Sequence, residues 1–179
     1  MILNGPAGIG KTTTARALAT VAENGAAIHG DDLRDFIVTR RDGSVRQGLG
    51  YRNGASVAAN FIEGGYDLVV FEYVFETASG LEDFRDAYDA SAPVHVFTLW
   101  APLDVVIARE DGRPGRRPLG SRVETCYRTM ESNLDTLGSL VHTVGQPVDG
   151  VVAELVERCT RGEGEFIVAR PERSMALAG

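Results

Sequence analysis

The stretch MILNGPAGIGKTT, residues 1–13, decides how the rest of the chain is read. Met1, Ile2 and Leu3 form a short apolar run broken at Asn4 and Gly5, the pattern of a buried strand ending in a tight turn. Gly5, Pro6, Ala7, Gly8, Ile9, Gly10, Lys11 and Thr12 match the phosphate-loop pattern G-x-x-x-x-G-K-[ST] in full. From Thr12 the segment TTTARALATVAENG places Ala15, Leu18, Ala19 and Ala22 at helical spacing and stops at Asn24 and Gly25. Strand, glycine turn and helix are the context the pattern requires. Glycines let successive amide N–H groups point into one cavity, where they and the helix N-terminus hold phosphate oxygens. Gly5, Ala7, Gly8, Ile9, Gly10, Lys11, Thr12 and Thr13 are therefore the expected nucleotide cradle. Lys11 would neutralise the terminal phosphates, and Thr12 would offer its hydroxyl to a magnesium ion, which takes hard oxygen ligands. Of the 18 basic residues 17 are arginine, so a bias that replaced lysine everywhere else has spared Lys11 at the one position where an ammonium has this task.

Outward from that stretch, strands alternate with helices. Ala26 to His29 reads as a second strand, GDDLRDFIVTRR begins a helix or turn, and Ser44 to Glu63 is a long, weakly amphipathic helix ending at Gly64 and Gly65. Asp67 to Glu72, with its continuous run LVVF, is a central strand, because strands covered on both faces lose polar alternation. Ser79 is expected to cap LEDFRDAYDA, in which Leu81, Phe84 and Tyr88 share a face. Pro93 to Trp100 supplies a strand, Pro102 starts the helix LDVVIARE, and residues 111–120, DGRPGRRPLG, interrupt regular structure with three glycines, two prolines and three arginines. Helical spacing returns at Ser121 to Leu134, Leu140 to Val144 is a last short strand, and Pro147 to Cys159 a closing helix. The expected architecture is an α/β three-layer phosphate-loop fold, a mainly parallel five-stranded sheet with helices on both faces and an arginine-rich lid. Residues 1–160 form its single domain, with the lid near 110–120, and 161–179 a tail or oligomer contact.

Composition narrows the function classes. The 44% hydrophobic and 24% charged residues are the ordinary globular balance, which excludes a disordered scaffold. A formal charge of -7 disfavours general electrostatic binding of nucleic acid or an anionic membrane. Cys126 and Cys159 have no metal-type spacing, so neither a disulfide scaffold nor a zinc ribbon is expected. Without an apolar run of membrane length or a signal-peptide core, the expectation is a soluble protein in a reducing, cytoplasmic setting.

Candidate chemistry follows the strand ends, where ligands sit in such folds. Asp31 and Asp32 follow the second strand. Asp31 is read as the base that orients an acceptor hydroxyl and Asp32 as a helper or metal partner, the alternative for either being a helix cap. Arg34 either clamps the acceptor or a phosphate, or is solvated surface. Glu72 stands where an acid would hold magnesium or water, or else is a structural carboxylate at a strand end. His29, His95 and His142 are read as core or strand-surface residues, and Trp100, Tyr66, Phe71, Tyr73 and Phe75 as core or pocket wall. Arg109, Arg113, Arg116, Arg117 and Arg122 flank the glycine-proline stretch and suit a lid over phosphates, because the arginine fork meets phosphate oxygens in pairs.

The phosphate loop, the aspartate after strand two, the helix APLDVVIARE and the segment GRRPLGSRVETCYRTME together resemble the small phosphate-loop kinases, nearest the chloramphenicol phosphotransferase-like family and more distantly shikimate and gluconate kinases. The resemblance spans residues 1–160. It implies ATP and magnesium, a small-molecule hydroxyl acceptor, Asp31 as the base, Arg117 (before Pro118) on phosphate with Arg116 beside it, and Arg109 packed on adenine with Thr143 to Pro147, including Gln146 and Pro147, on the other side. Residues 33–62 and 73–90 depart from the family, so no acceptor is carried over. The expected activity is transfer of the ATP γ-phosphoryl group to an alcohol such as an antibiotic, nucleoside or metabolite, with antibiotic resistance among the roles implied. DDLR also resembles the D-x-x-R element of polynucleotide 5′-kinases, against which the acidic charge counts. Two further rivals are a nucleotide-hydrolysing switch and a zeta-toxin-like kinase. A guanine-reading N-K-x-D element is impossible in a chain whose only lysine is Lys11.

Overall fold

Ile2, Leu3 and Asn4 are fully buried, and they form the middle strand of the sheet. A computed structural model provides the structure and describes residues 1–39, 48–112 and 119–167. Among these residues the order is β1 (Ile2–Asn4), α1 (Lys11–Ala19), β2 (Gly25–His29), α2 (Gly30–Asp35), α3 (Leu49–Glu63), β3 (Leu68–Glu72), α4 (Ala78–Ala87), β4 (Val94–Trp100), α5 (Leu103–Asp111), α6 (Ser121–Glu131), a 3₁₀ turn (Leu134–Thr136), β5 (Ser139–His142), α7 (Val148–Thr160) and β6 (Glu165–Ile167). The first five strands lie parallel in the order β2-β3-β1-β4-β5. The chain leaves β1 for one edge and later crosses to the other side of it, so the carboxyl end of β1 is the switch point at which such sheets open a crevice.

Helices cover both faces. α1 packs with α7, and α3 packs with α4, while β3 and β4 between the layers are apolar almost throughout. Leu81, Phe84 and Tyr88 do share the buried face of α4 and its end. Tyr51, Phe71, Tyr73, Phe75, Phe84 and Tyr88 form a continuous ring cluster beneath α3 and α4, with Tyr51 stacked on Phe75 at 4.6 Å. Trp100 stacks on Tyr127 at 4.4 Å, in the core as expected, whereas Tyr66 is 39% exposed and rests on Phe61.

Several boundaries differ from the sequence reading. The sheet gains a sixth strand, because Glu165–Ile167 returns antiparallel to the first residues of β4 instead of trailing away as a tail. Arg158 steadies this return, donating to Glu163 Oε2 at 2.8 Å and to the Leu140 carbonyl at 2.7 Å while lying over the Phe97 ring. Ser79 is not the cap of α4. The extended Thr77 is, and its hydroxyl meets that of Ser79 at 2.9 Å; the helix thus begins two residues earlier, and its Phe84 ring packs edge-on against Phe75. α6 ends at Glu131, after which the 3₁₀ turn and Gly138, with φ of +83°, lead into β5 one residue earlier than expected. Residues 44–47 of the expected long helix and Arg113, Arg116 and Arg117 of the expected lid lie outside the described residues.

Candidate active site

The loop after β1 wraps back onto α1 through left-handed glycines. Gly8 has φ of +84°, and a Cβ there would stand 2.8 Å from the Val106 carbonyl and 2.9 Å from Glu110 Cβ, so only a glycine lets the loop rest on α5. Gly10, with φ of +105°, starts α1, which opens directly at Lys11 and so aims the N–H groups of its first turn back across the loop. Lys11 is buried, and its ammonium donates to the Gly5 and Pro6 carbonyls at 2.8 and 3.0 Å, which folds the charge over the loop it serves.

Three strand ends complete the cradle. Thr12 donates its hydroxyl to Glu72 Oε1 at 2.8 Å, linking the first turn of α1 to the last residue of β3. His29 ends β2 in register with Glu72, and its Nδ1 stands 3.1 Å from the same oxygen. Arg16, one turn further along α1, donates from Nε to His29 Nε2 at 3.0 Å. The pairing of His29 with Glu72 was missed in the sequence, where it had one signal: two adjacent parallel strands each ending on a polar residue at the rim. Asn4, the last residue of β1, donates to the Phe75 carbonyl and Thr98 Oγ1, both at 3.1 Å, and accepts from the Phe75 amide at 2.8 Å. One buried amide thus ties the phosphate-loop strand to the segment after β3.

That segment, Tyr73 to Glu76, faces α2 across a cleft of about 860 Å³. A side chain at Gly30 would overlap the Tyr73 ring, and this close approach brings Asp31 to the rim. Tyr51 donates to the Val74 carbonyl at 3.2 Å, and burial together with neighbouring acids pushes its phenol up to about 12, so it stays a neutral donor. Burial, then the carboxylate of Glu76, pushes the Cys126 thiol up to about 11 against the weaker opposing pull of Lys11.

Of the residues singled out in the sequence, Ala7, Gly8, Gly10, Lys11, Thr12, Thr13, Asp31, Arg34, Glu72 and Arg109 all line this cleft. Gly5 and Ile9 are buried and do not line the cleft. Asp31 is 70% exposed, with Arg34 Nη1 at 3.6 Å one turn on. Asp32 is not among the lining residues, since a successive helical position points about 100° away from Asp31. Arg109 donates to Thr143 Oγ1 at 3.2 Å and to the Ile9 carbonyl at 3.4 Å, which pins its guanidinium beside the loop. Gln146 and Pro147 lie off the cleft, the Gln146 amide donating to the His142 carbonyl and Glu154 Oε2 at 3.1 and 3.2 Å. Arg122, singled out with the lid arginines, also lines the cleft, and the lining residues that the sequence reading left without a chemical role are Asp35, Tyr73, Glu76 and Cys126, from elements far apart in sequence.

Thr12 and Glu72 fit a magnesium ion by the chemistry of their donors. Both present hard oxygens, the Thr12 proton is committed to Glu72 so that its lone pairs are free to coordinate, and Glu72 Oε2 accepts no hydrogen bond among the described residues.

No family model and no curated protein matches the sequence. Solved structures do match. A sugar kinase from Janibacter sp. is 18% identical, with 89% of this chain and 92% of that chain covered and a TM-score of 0.63. A gluconokinase from Sinorhizobium meliloti is 20% identical over 90% of this chain and 91% of its own, with a TM-score of 0.65. The tunicamycin resistance protein of Deinococcus radiodurans is 20% identical over 95% of this chain and 98% of its own, with a TM-score of 0.60. The chain therefore has the fold of the small phosphate-loop kinases it was expected to resemble.

Proposed function

We propose that this phosphate-loop kinase fold carries an ATP-dependent phosphotransferase that moves the γ-phosphoryl group onto a hydroxyl of a small molecule. One observation carries the reading: the loop with Lys11 and Thr12, the strand-end acid Glu72 and the rim aspartate Asp31 open onto a single cleft of the size that takes a small molecule. Fold alone would not license it, since one fold serves many chemistries.

The work is positioning and charge neutralisation. Backbone N–H groups of the loop and of the first turn of α1 hold the triphosphate, and Lys11 supplies the positive charge at its far end. Thr12 and Glu72 hold magnesium, which when bound screens the charge on the transferring phosphates. Asp32 has no part in that set. Asp31 accepts the proton of the acceptor hydroxyl as its oxygen bonds to the γ-phosphorus and the bond to the bridging oxygen of ADP breaks. Arg109, held by Ile9 and Thr143, packs on the adenine, and Arg116 and Arg117 carry the lid role. Antibiotic alcohols belong among the acceptors to test, because one structural neighbour is called a tunicamycin resistance protein.

Incubation with Mg-ATP and a panel of hydroxylated metabolites, nucleosides and antibiotics tests the reading by the mass of the product. A product heavier by one phosphoryl group is expected with one acceptor class. Hydrolysis of ATP at the same rate with and without every acceptor would instead establish a nucleotide-operated switch.

A further inference from the structure

Four side chains join α1, β2 and β3 into one chain of hydrogen bonds, from Arg16 through His29 and Glu72 to Thr12. Its directions can be worked out from the donors. An arginine Nε–H can only donate, so His29 Nε2, 3.0 Å away, must be the lone-pair nitrogen. The ring proton is then on Nδ1, which donates to Glu72 Oε1 at 3.1 Å, the oxygen that also accepts from Thr12 at 2.8 Å. Two donors on one oxygen fix the carboxylate through Oε1 and leave Oε2, on a residue that lines the cleft, without a hydrogen bond among the described residues. The His29 side chain is 12% exposed and that of Glu72 9%, so water competes little for these bonds.

We infer that His29 is a positioning residue for the magnesium site: its Nδ1–H holds Glu72 in the orientation that gives Oε2 to the cation while Thr12 gives Oγ1. The inference rests on the kinase reading for the identity of the cation. His29 does not line the cleft and acts through Glu72 alone. Hydrogen-bonded partners of ligating carboxylates and imidazoles typically govern metal affinity about 10- to 100-fold.

The imidazole ¹⁵N resonances of the full chain provide the first test, since they report the tautomer without any turnover. The Nδ1–H form is expected for His29, and an Nε2–H form overturns the inference. Calorimetry of ATP binding at increasing magnesium provides the second. His29→Leu should raise the magnesium concentration at half-saturation about tenfold and leave binding of metal-free ATP unchanged. His29→Asn, whose amide can donate from the place of Nδ1, should restore most of the wild-type value, and His29→Gln, whose amide reaches only the place of Nε2, should not. Equal magnesium dependence in wild type, His29→Leu and His29→Gln overturns the proposal. Should His29→Leu not fold, the comparison of His29→Asn with His29→Gln and the wild-type tautomer still decide it. A wild-type protein that binds no Mg-ATP would sink the kinase reading itself, an outcome separate from these.

Discussion

The two ends of the cleft, to which the proposal gives the phosphates and the acceptor, are built on different principles. At the proposed phosphate end the groups are main-chain amides, one buried ammonium and a threonine, all within residues 5–13, with Glu72 brought in by the neighbouring strand. At the acceptor end Asp31, Arg34, Tyr73, Glu76 and Cys126 come from α2, the segment after β3 and α6, and most of their polar tips face solvent. A locally encoded end keeps its shape whatever the rest of the cleft becomes. The acceptor end, assembled from separated elements, can change its substrate by changing side chains that support little of the fold.

The largest break in that comparison is expected from Lys11→Ala. Removing the only buried cation of the loop should lower kcat/KM on the order of 10³-fold, read by acceptor phosphorylation, with the far-UV spectrum unchanged. Asp31→Asn should lower kcat about 10²-fold while calorimetry finds Mg-ATP binding intact, since an exposed rim carboxylate contributes little to the loop. A normal turnover in this variant would remove Asp31 from the base role.

Asn4→Ala probes the seam between the two ends. It strips the Phe75 amide and carbonyl and Thr98 of a buried partner, so unfolding in denaturant should show a loss of about 2 kcal/mol. The KM for the acceptor should rise more than that for ATP, because Phe75 lies within the acceptor segment. The smallest effect concerns Cys126, whose thiol is raised to about 11. It is protonated at neutral pH, so alkylation by iodoacetamide at pH 8 should run on the order of a hundredfold slower than for a free thiol and accelerate as pH climbs toward 11.

The phosphate end was legible because its chemistry is local. Glycines at fixed offsets, one lysine and a following helical pattern define a backbone conformation whatever surrounds it. The strand-end acids Asp31 and Glu72 were legible for a related reason, since a parallel sheet places every strand end on one rim. Asp32 shows the limit: the neighbouring acid carries the same charge but turns off the cleft, and sequence adjacency says nothing about which of two successive helical positions faces inward. His29 shows the converse. Read as a core or surface histidine, it meets Glu72 only because β2 and β3 are neighbours in register. The return of Glu165–Ile167 to β4 was hidden likewise, a three-residue strand with no periodicity of its own and stabilised by Arg158, Glu163 and the edge it joins.

By itself the sequence determined that a glycine loop joins the first strand to the first helix, that the layers alternate strand and helix, and where the rim of the sheet lies. These follow from steric rules and periodicities that act within some ten residues. Tertiary structure alone decided that Asn4 joins the two ends of the cleft, that Arg16 and His29 stand behind Glu72, and that Tyr73, Glu76 and Cys126 share a wall with Asp31. Such pairings depend on strand order and register, which are settled by the packing of the whole core and leave no mark on the neighbouring residues.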